Sequence, residues 1–169
     1  MASAESVVLA VGNVPSSNMS NELLPKIRSE MERCMRSRDA SRLATIRMLL
    51  AAIKQREIDE RIVLDDGKVI AVVEKMIKQR RESMEQFQKA KRQDLFDKEE
   101  AEVAILMSFM PEPLTDEELK VAIDEAVAVT GVNSIKDMSK VVNEIRVKVQ
   151  GREDMGKVSQ EIKKILDGK

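Results

Sequence analysis

Asp154-Met155-Gly156-Lys157-Val158 repeats, with one change, the stretch Asp137-Met138-Ser139-Lys140-Val141. Each opens what the apolar spacing predicts as a short amphipathic helix. An Asp at a helix start accepts hydrogen bonds from unpaired backbone N–H groups. A Lys in the first turn instead opposes the helix dipole, at roughly 0.3–1 kcal/mol. Two such lysines, with Arg152 just upstream of the second, would build a positive end that faces an anion, most readily a polynucleotide backbone. The alternative is two ordinary helix starts with solvated lysines. If Ser134 is the true cap of the first helix, Lys140 moves into the second turn and its electrostatic argument weakens.

Other motifs carry less. Gly151-Arg152-Glu153-Asp154-Met155-Gly156-Lys157 fits the G-x-x-x-x-G-K pattern of a phosphate loop. That loop needs a preceding strand and a Ser or Thr after the Lys. Here a helix is predicted upstream, Val158 follows, and Glu153 and Asp154 would repel phosphate oxygens. What survives is a glycine-permitted turn beside Arg152 and Lys157. Asp65 and Asp66 are adjacent, so they point in different directions, and capping of a following helix explains both. Cys34 keeps helical spacing with Leu24, Ile27, Met31 and Met35, which predicts a packed core thiol. Histidine is absent, which removes the commonest general base and metal ligand. Neither a metal nor a cofactor is expected.

The elements that must position these residues are helices. Of 169 residues, 43% are hydrophobic and only 2% aromatic. The apolar content is Met, Leu, Ile, Val and Ala, and the polar content Lys, Arg and Glu, which favours helix over strand. The expected class is all-α, about seven helices in two small domains. Residues 1–18 hold one charge, Glu5, and no Arg. They read as a flexible extension, neither secretory signal nor transit peptide. An N-terminal helical domain is expected over 19–110. Its helices start after Ser20, near Asp39, after the turn Asp65-Asp66-Gly67, and near Asp94. Pro111-Glu112-Pro113 stops the fourth and marks the boundary. A second domain follows over 114–169, opening on a capping box at Thr115-Asp116-Glu117-Glu118. No apolar run approaches the roughly 18 residues of a membrane span. A single cysteine fits a reducing compartment, and a cytoplasmic location is expected.

Charge is unevenly spread. Residues 26–92 hold 18 Lys/Arg against 11 Asp/Glu, residues 94–125 hold 2 against 11, and residues 133–169 hold 9 against 6. The net charge of −1 therefore hides two basic blocks around an acidic one. Such a division suits nucleic-acid contact, or attraction between the protein's own parts. With no Tyr or Trp and three Phe, base stacking is scarce, so any RNA contact is expected to read backbone and shape.

Three runs in order, Ile46 to Glu57 (IRMLLAAIKQRE), Glu74 to Ser83 (EKMIKQRRES) and Gly151 to Val158 (GREDMGKV), resemble the YqeY family. That family is the free-standing relative of the C-terminal region of GatB, a subunit of the glutamine-dependent tRNA amidotransferase. The resemblance covers about residue 20 to the end. It implies that the last three helices form the tail domain that in GatB approaches tRNA, and a family-level label of carbon–nitrogen ligase with glutamine as amido donor. It falls in the tail on Asp137 to Val141 and Gly151 to Val158, with Ser139 where glycine is usual. It brings no catalytic site, since ATP-dependent activation and glutamine hydrolysis belong to portions outside this chain. The expectation is a non-catalytic protein that binds tRNA or other folded RNA through Lys136, Lys140, Arg146, Lys148, Arg152, Lys157 and Lys164. Amidotransferase or aminoacyl-tRNA synthetase components are expected as further partners. The alternatives are a protein-interaction module without an RNA role, and an autonomous amidotransferase.

Overall fold

A computed structural model describes residues 20–168. Seven α-helices follow in order: α1 (Leu23–Ser37), α2 (Ala40–Glu60), α3 (Asp66–Lys89), α4 (Gln93–Met107), α5 (Asp116–Thr130), α6 (Met138–Val149) and α7 (Met155–Asp167). A 3₁₀ turn, Ile135–Asp137, leads into α6. The described residues form no strand, and the class is all-α. The extension expected over 1–18 lies outside the described residues.

Local chemistry sets most starts. Asp39 accepts from the Arg42 N–H to open α2, and Asp65 accepts from the Lys68 N–H at 2.9 Å to open α3. Gly67 therefore sits inside α3, not in the turn expected of it. Asp66 works across the fold: its carboxylate accepts from the Leu23 N–H at 2.9 Å and from Ser20 Oγ at 2.6 Å. It caps α1, whose own N-cap, Glu22, makes no side-chain cap bond. The two adjacent aspartates thus cap two different helices. At α5 the capping box forms as expected, with Glu118 N–H donating to Thr115 Oγ1 and Thr115 N–H to Glu118 Oε1. Gly131, at φ 67°, ends that helix.

Apolar burial divides into two clusters. One gathers α1–α4 around Ile27, Ile46, Leu49, Ile53, Val69, Val73 and Leu106. The other gathers α5–α7 around Ile123, Val141, Ile145, Val158 and Ile162. Cys34 is buried in the first, as its spacing predicts. Met35, which shares the helical spacing of Cys34, is 52% exposed, and Met107 on α4 is 43% exposed. Each lies at the edge of its helix's apolar arc, where about 100° per residue carries a side chain past the contact line. α4 also stops at Met107, three residues early, and Phe109 from the following turn closes the cluster instead.

Arg42 ties the first cluster's surface together. Its Nε donates to Glu30 of α1 at 2.9 Å, its Nη2 reaches Ser108 Oγ at 3.3 Å, and its guanidinium lies over the Phe109 ring. Arg33 meets the same Glu30 carboxylate at 2.5 Å. Hydrogen bonding from Arg33 first, and then from Arg42, holds the Glu30 carboxyl down at about 2 against burial that pushes it up.

Candidate nucleic-acid interface

The echoed motifs do not behave alike. Asp154 caps α7, accepting from the Gly156 N–H at 3.0 Å. Asp137 makes no such bond. Ser134 caps the preceding 3₁₀ turn through the Lys136 N–H at 3.3 Å, and Asp137 faces the Lys140 ammonium at 3.8 Å instead. The reason is the extra turn: once Ser134 satisfies the first N–H groups, Asp137 is left to its own helix's cation.

Five of the seven expected cations face carboxylates: Lys140 faces Asp137, Lys148 Glu125, Arg152 Glu118, Lys157 both Asp116 and Glu153, and Lys164 Glu161. The Glu153 charge first, and then Asp116, holds the Lys157 ammonium above its ordinary range. Arg152 and Lys157 are brought together, but at the acidic first turn of α5, where Asp116 lies 3.4 Å from Lys157. Lys136 and Arg146 are exposed and have no ion pair among the described residues.

The Gly151 turn is a joint rather than an anion cradle. Gly151 takes φ 75° and packs so closely on α3 that a Cβ there would collide with Ile70 Cγ2 and lie 3.2 Å from Met110 Cε. Burial beside this turn pushes the Glu74 carboxyl above its ordinary range, and the Gly151 N–H pulls it the other way. Beside it Gln150 Nε2 donates to Gly67 O at 2.9 Å, and Arg152 Nε to Glu112 O at 2.7 Å. The run Gln150–Lys157 therefore fastens the α6–α7 connection to α3, to the Pro111–Pro113 segment and to α5. A cleft of about 1020 Å³ opens beside this joint, lined among others by Arg56, Lys68, Glu117, Val121, Glu125 and Val147. Its walls mix both signs of charge, so it offers no anion site.

What cationic surface remains lies on the outer face of α6. Lys140, Asn143 and Arg146 lie at helical spacing on one exposed face of α6, with Ser139 beside them and Lys136 exposed in the 3₁₀ turn just ahead. Lys140 and Asp137 are both more than half exposed, a pair that solvent screens and an incoming phosphate competes with. Of the seven expected cations, Lys136, Lys140 and Arg146 fall on this surface, and Lys148, Arg152, Lys157 and Lys164 lie off it.

The match to known proteins has one clear outcome. The family model described as "Yqey-like protein" matches residues 24–166. The chain belongs to the YqeY family. Among its relatives, Altered inheritance of mitochondria protein 41, mitochondrial, of Pyrenophora tritici-repentis is 30% identical, with 91% of this chain and 86% of the relative covered. The protein of the same name from Kluyveromyces lactis is 32% identical over 81% of this chain and 72% of its own length. That from Eremothecium gossypii is 35% identical over 56% and 52%. These names overturn the cytoplasmic expectation, because the relatives are named mitochondrial. One free cysteine cannot form an intrachain disulfide anywhere, so it does not tell cytosol from mitochondrial matrix. The judgement against a transit peptide rested on residues 1–18, outside the described structure.

Proposed function

We propose that this YqeY-family protein is a non-catalytic helical partner of tRNA-dependent amide transfer in mitochondria, and that it holds folded RNA along the outer face of α6. The observation that carries the RNA contact is the row Lys140–Asn143–Arg146 with Lys136 just ahead of it, in which two cations have no carboxylate partner. The mitochondrial setting rests on the names of the relatives, and the amide-transfer pathway on the kinship of the family with the GatB tail. Arg152 and Lys157 move out of the contact surface, since they meet Glu118 and Asp116 at the start of α5, and Lys148 and Lys164 lie off the row. A shallow row with no aromatic platform reads phosphates and shape, so affinity falls steeply with salt and favours folded RNA.

The test is a mobility-shift comparison of a tRNA with an unstructured RNA at two salt concentrations, using the intact chain and Lys136→Glu/Arg146→Glu. The expected result is tRNA preference, lost by about tenfold or more in the double variant. Equal binding of both RNAs, or an unaltered double variant, overturns the reading. The second reading, a protein-interaction module, is favoured by a separate surface on α2.

A further inference from the structure

The outer face of α2 carries two parallel lines of side chains at seven-residue spacing. Arg47 and Lys54 form one, with Arg61, the left-handed residue that ends the helix, just beyond it, and Ala44, Ala51 and Ile58 form the other. At about 100° per residue the apolar line spans about 40° of the helix surface and the charged line about 20°, and the two adjoin. All six residues are exposed, on the side opposite the buried Ile46, Leu49 and Ile53. None of the three cations has an ion pair among the described residues, whereas Arg56, on another face, holds Glu60. The stripe ends in a shallow depression of about 360 Å³, lined by Lys54, Glu57, Ile58, Arg61, Ile62 and Val63. Ile58 is 58% and Val63 78% exposed there, an apolar surface that no described residue covers.

The counterpart pattern lies on α5. Glu117 and Asp124 stand seven residues apart, and Val121 and Ala128 lie four residues beyond each. All four are exposed, Val121 at 56%, and neither carboxylate has an ion pair among the described residues. The charged line therefore flanks the apolar line on the same side in both helices, cationic on α2 and anionic on α5. When two such helices face each other in parallel, each charged line meets the other's apolar line. Antiparallel, cation meets carboxylate and the apolar lines meet each other, as in an antiparallel coiled-coil seam.

We propose that α2 of one molecule docks antiparallel on α5 of a second copy of this chain. Ala44 and Ala51 let the backbones approach, and Val121 and Ile58 fill the seam. Arg47, Lys54 and Arg61 answer Glu117 and Asp124. A two-helix contact is smaller than the roughly 1,000 Å² typical of stable interfaces, so the association is weak, reversible and salt-sensitive.

Sedimentation equilibrium on the full chain tests this. The average mass is expected to rise with concentration at low ionic strength and to fall back towards the monomer at high salt. Arg47→Glu/Lys54→Glu/Arg61→Glu and, separately, Glu117→Lys/Asp124→Lys each weaken self-association by about tenfold or more. Mixed together, the two variants associate again, since each now complements the other on both helices. Should the triple variant fold poorly by circular dichroism, Lys54→Glu alone carries the same expectation at smaller size. A chain that stays monomeric near millimolar concentration overturns the proposal, as does association indifferent to both variants or a mixture that fails to associate. So does loss of tRNA binding in the triple variant with sedimentation unchanged, which makes the stripe an RNA face. Failure here leaves the α6 reading standing, because the two surfaces share no residue.

Discussion

Gly151→Ala isolates the joint that fastens the α6–α7 connection. Two costs add. Gly151 has φ 75°, a left-handed conformation that costs an alanine about 1–2 kcal/mol. The new Cβ also meets Ile70 Cγ2 at a distance real Cβ atoms do not show, and relieving such overpacking costs about 1–3 kcal/mol. The sum is about 2–5 kcal/mol. Gly131→Ala is the internal control: its φ is 67°, but nothing lies within 4 Å of a Cβ built there. It carries the conformational cost without the collision. Urea unfolding of both variants, followed by circular dichroism, therefore separates the terms, with Gly151→Ala lower than Gly131→Ala by about 1–3 kcal/mol. Adding Ile70→Ala to Gly151→Ala brings the collision to an end, and the cycle then shows favourable coupling. Equal losses for the two glycine variants, within about 0.5 kcal/mol, would refute the close packing of Gly151 on α3.

Other perturbations read different parts of the molecule. Glu30, held down to about 2 by Arg33 and Arg42, contributes stability that is fully present above its ordinary pKa of 4.5 and is lost as pH falls from there towards 2. Acid titration of stability in Glu30→Gln is expected to be flatter across that window. A curve parallel to that of the unaltered chain removes Glu30 as the cause. Ile162 is fully buried in the second apolar cluster, and Ile162→Ala is expected to cost about 2–5 kcal/mol. Hydrogen exchange should then speed in α5–α7 while the α2 amides keep their protection. Equal loss of protection in α2 would mean that the two clusters unfold as one.

The pattern of apolar residues settled the fold class and nearly every helix, because a period of 3.6 needs no partner to be visible. Caps made within a few residues of one another, at Asp39, Asp65, Thr115 and Asp154, were legible for the same reason. The family was legible too, in three separated runs. Long-range partners were not. Asp66 caps α1 from 43 residues away, and nothing in its neighbourhood marks that use. Lys157 and Arg152 looked like a positive end because the chain order hides Asp116 and Glu118, which reach them only when α7 packs beside the start of α5. Gly151 was legible as a turn glycine, but its close packing against Ile70 was not. Side-chain periodicity is a property of the helix and is written in the sequence. Which carboxylate neutralises which cation depends on which helices touch, and tertiary packing alone decides that.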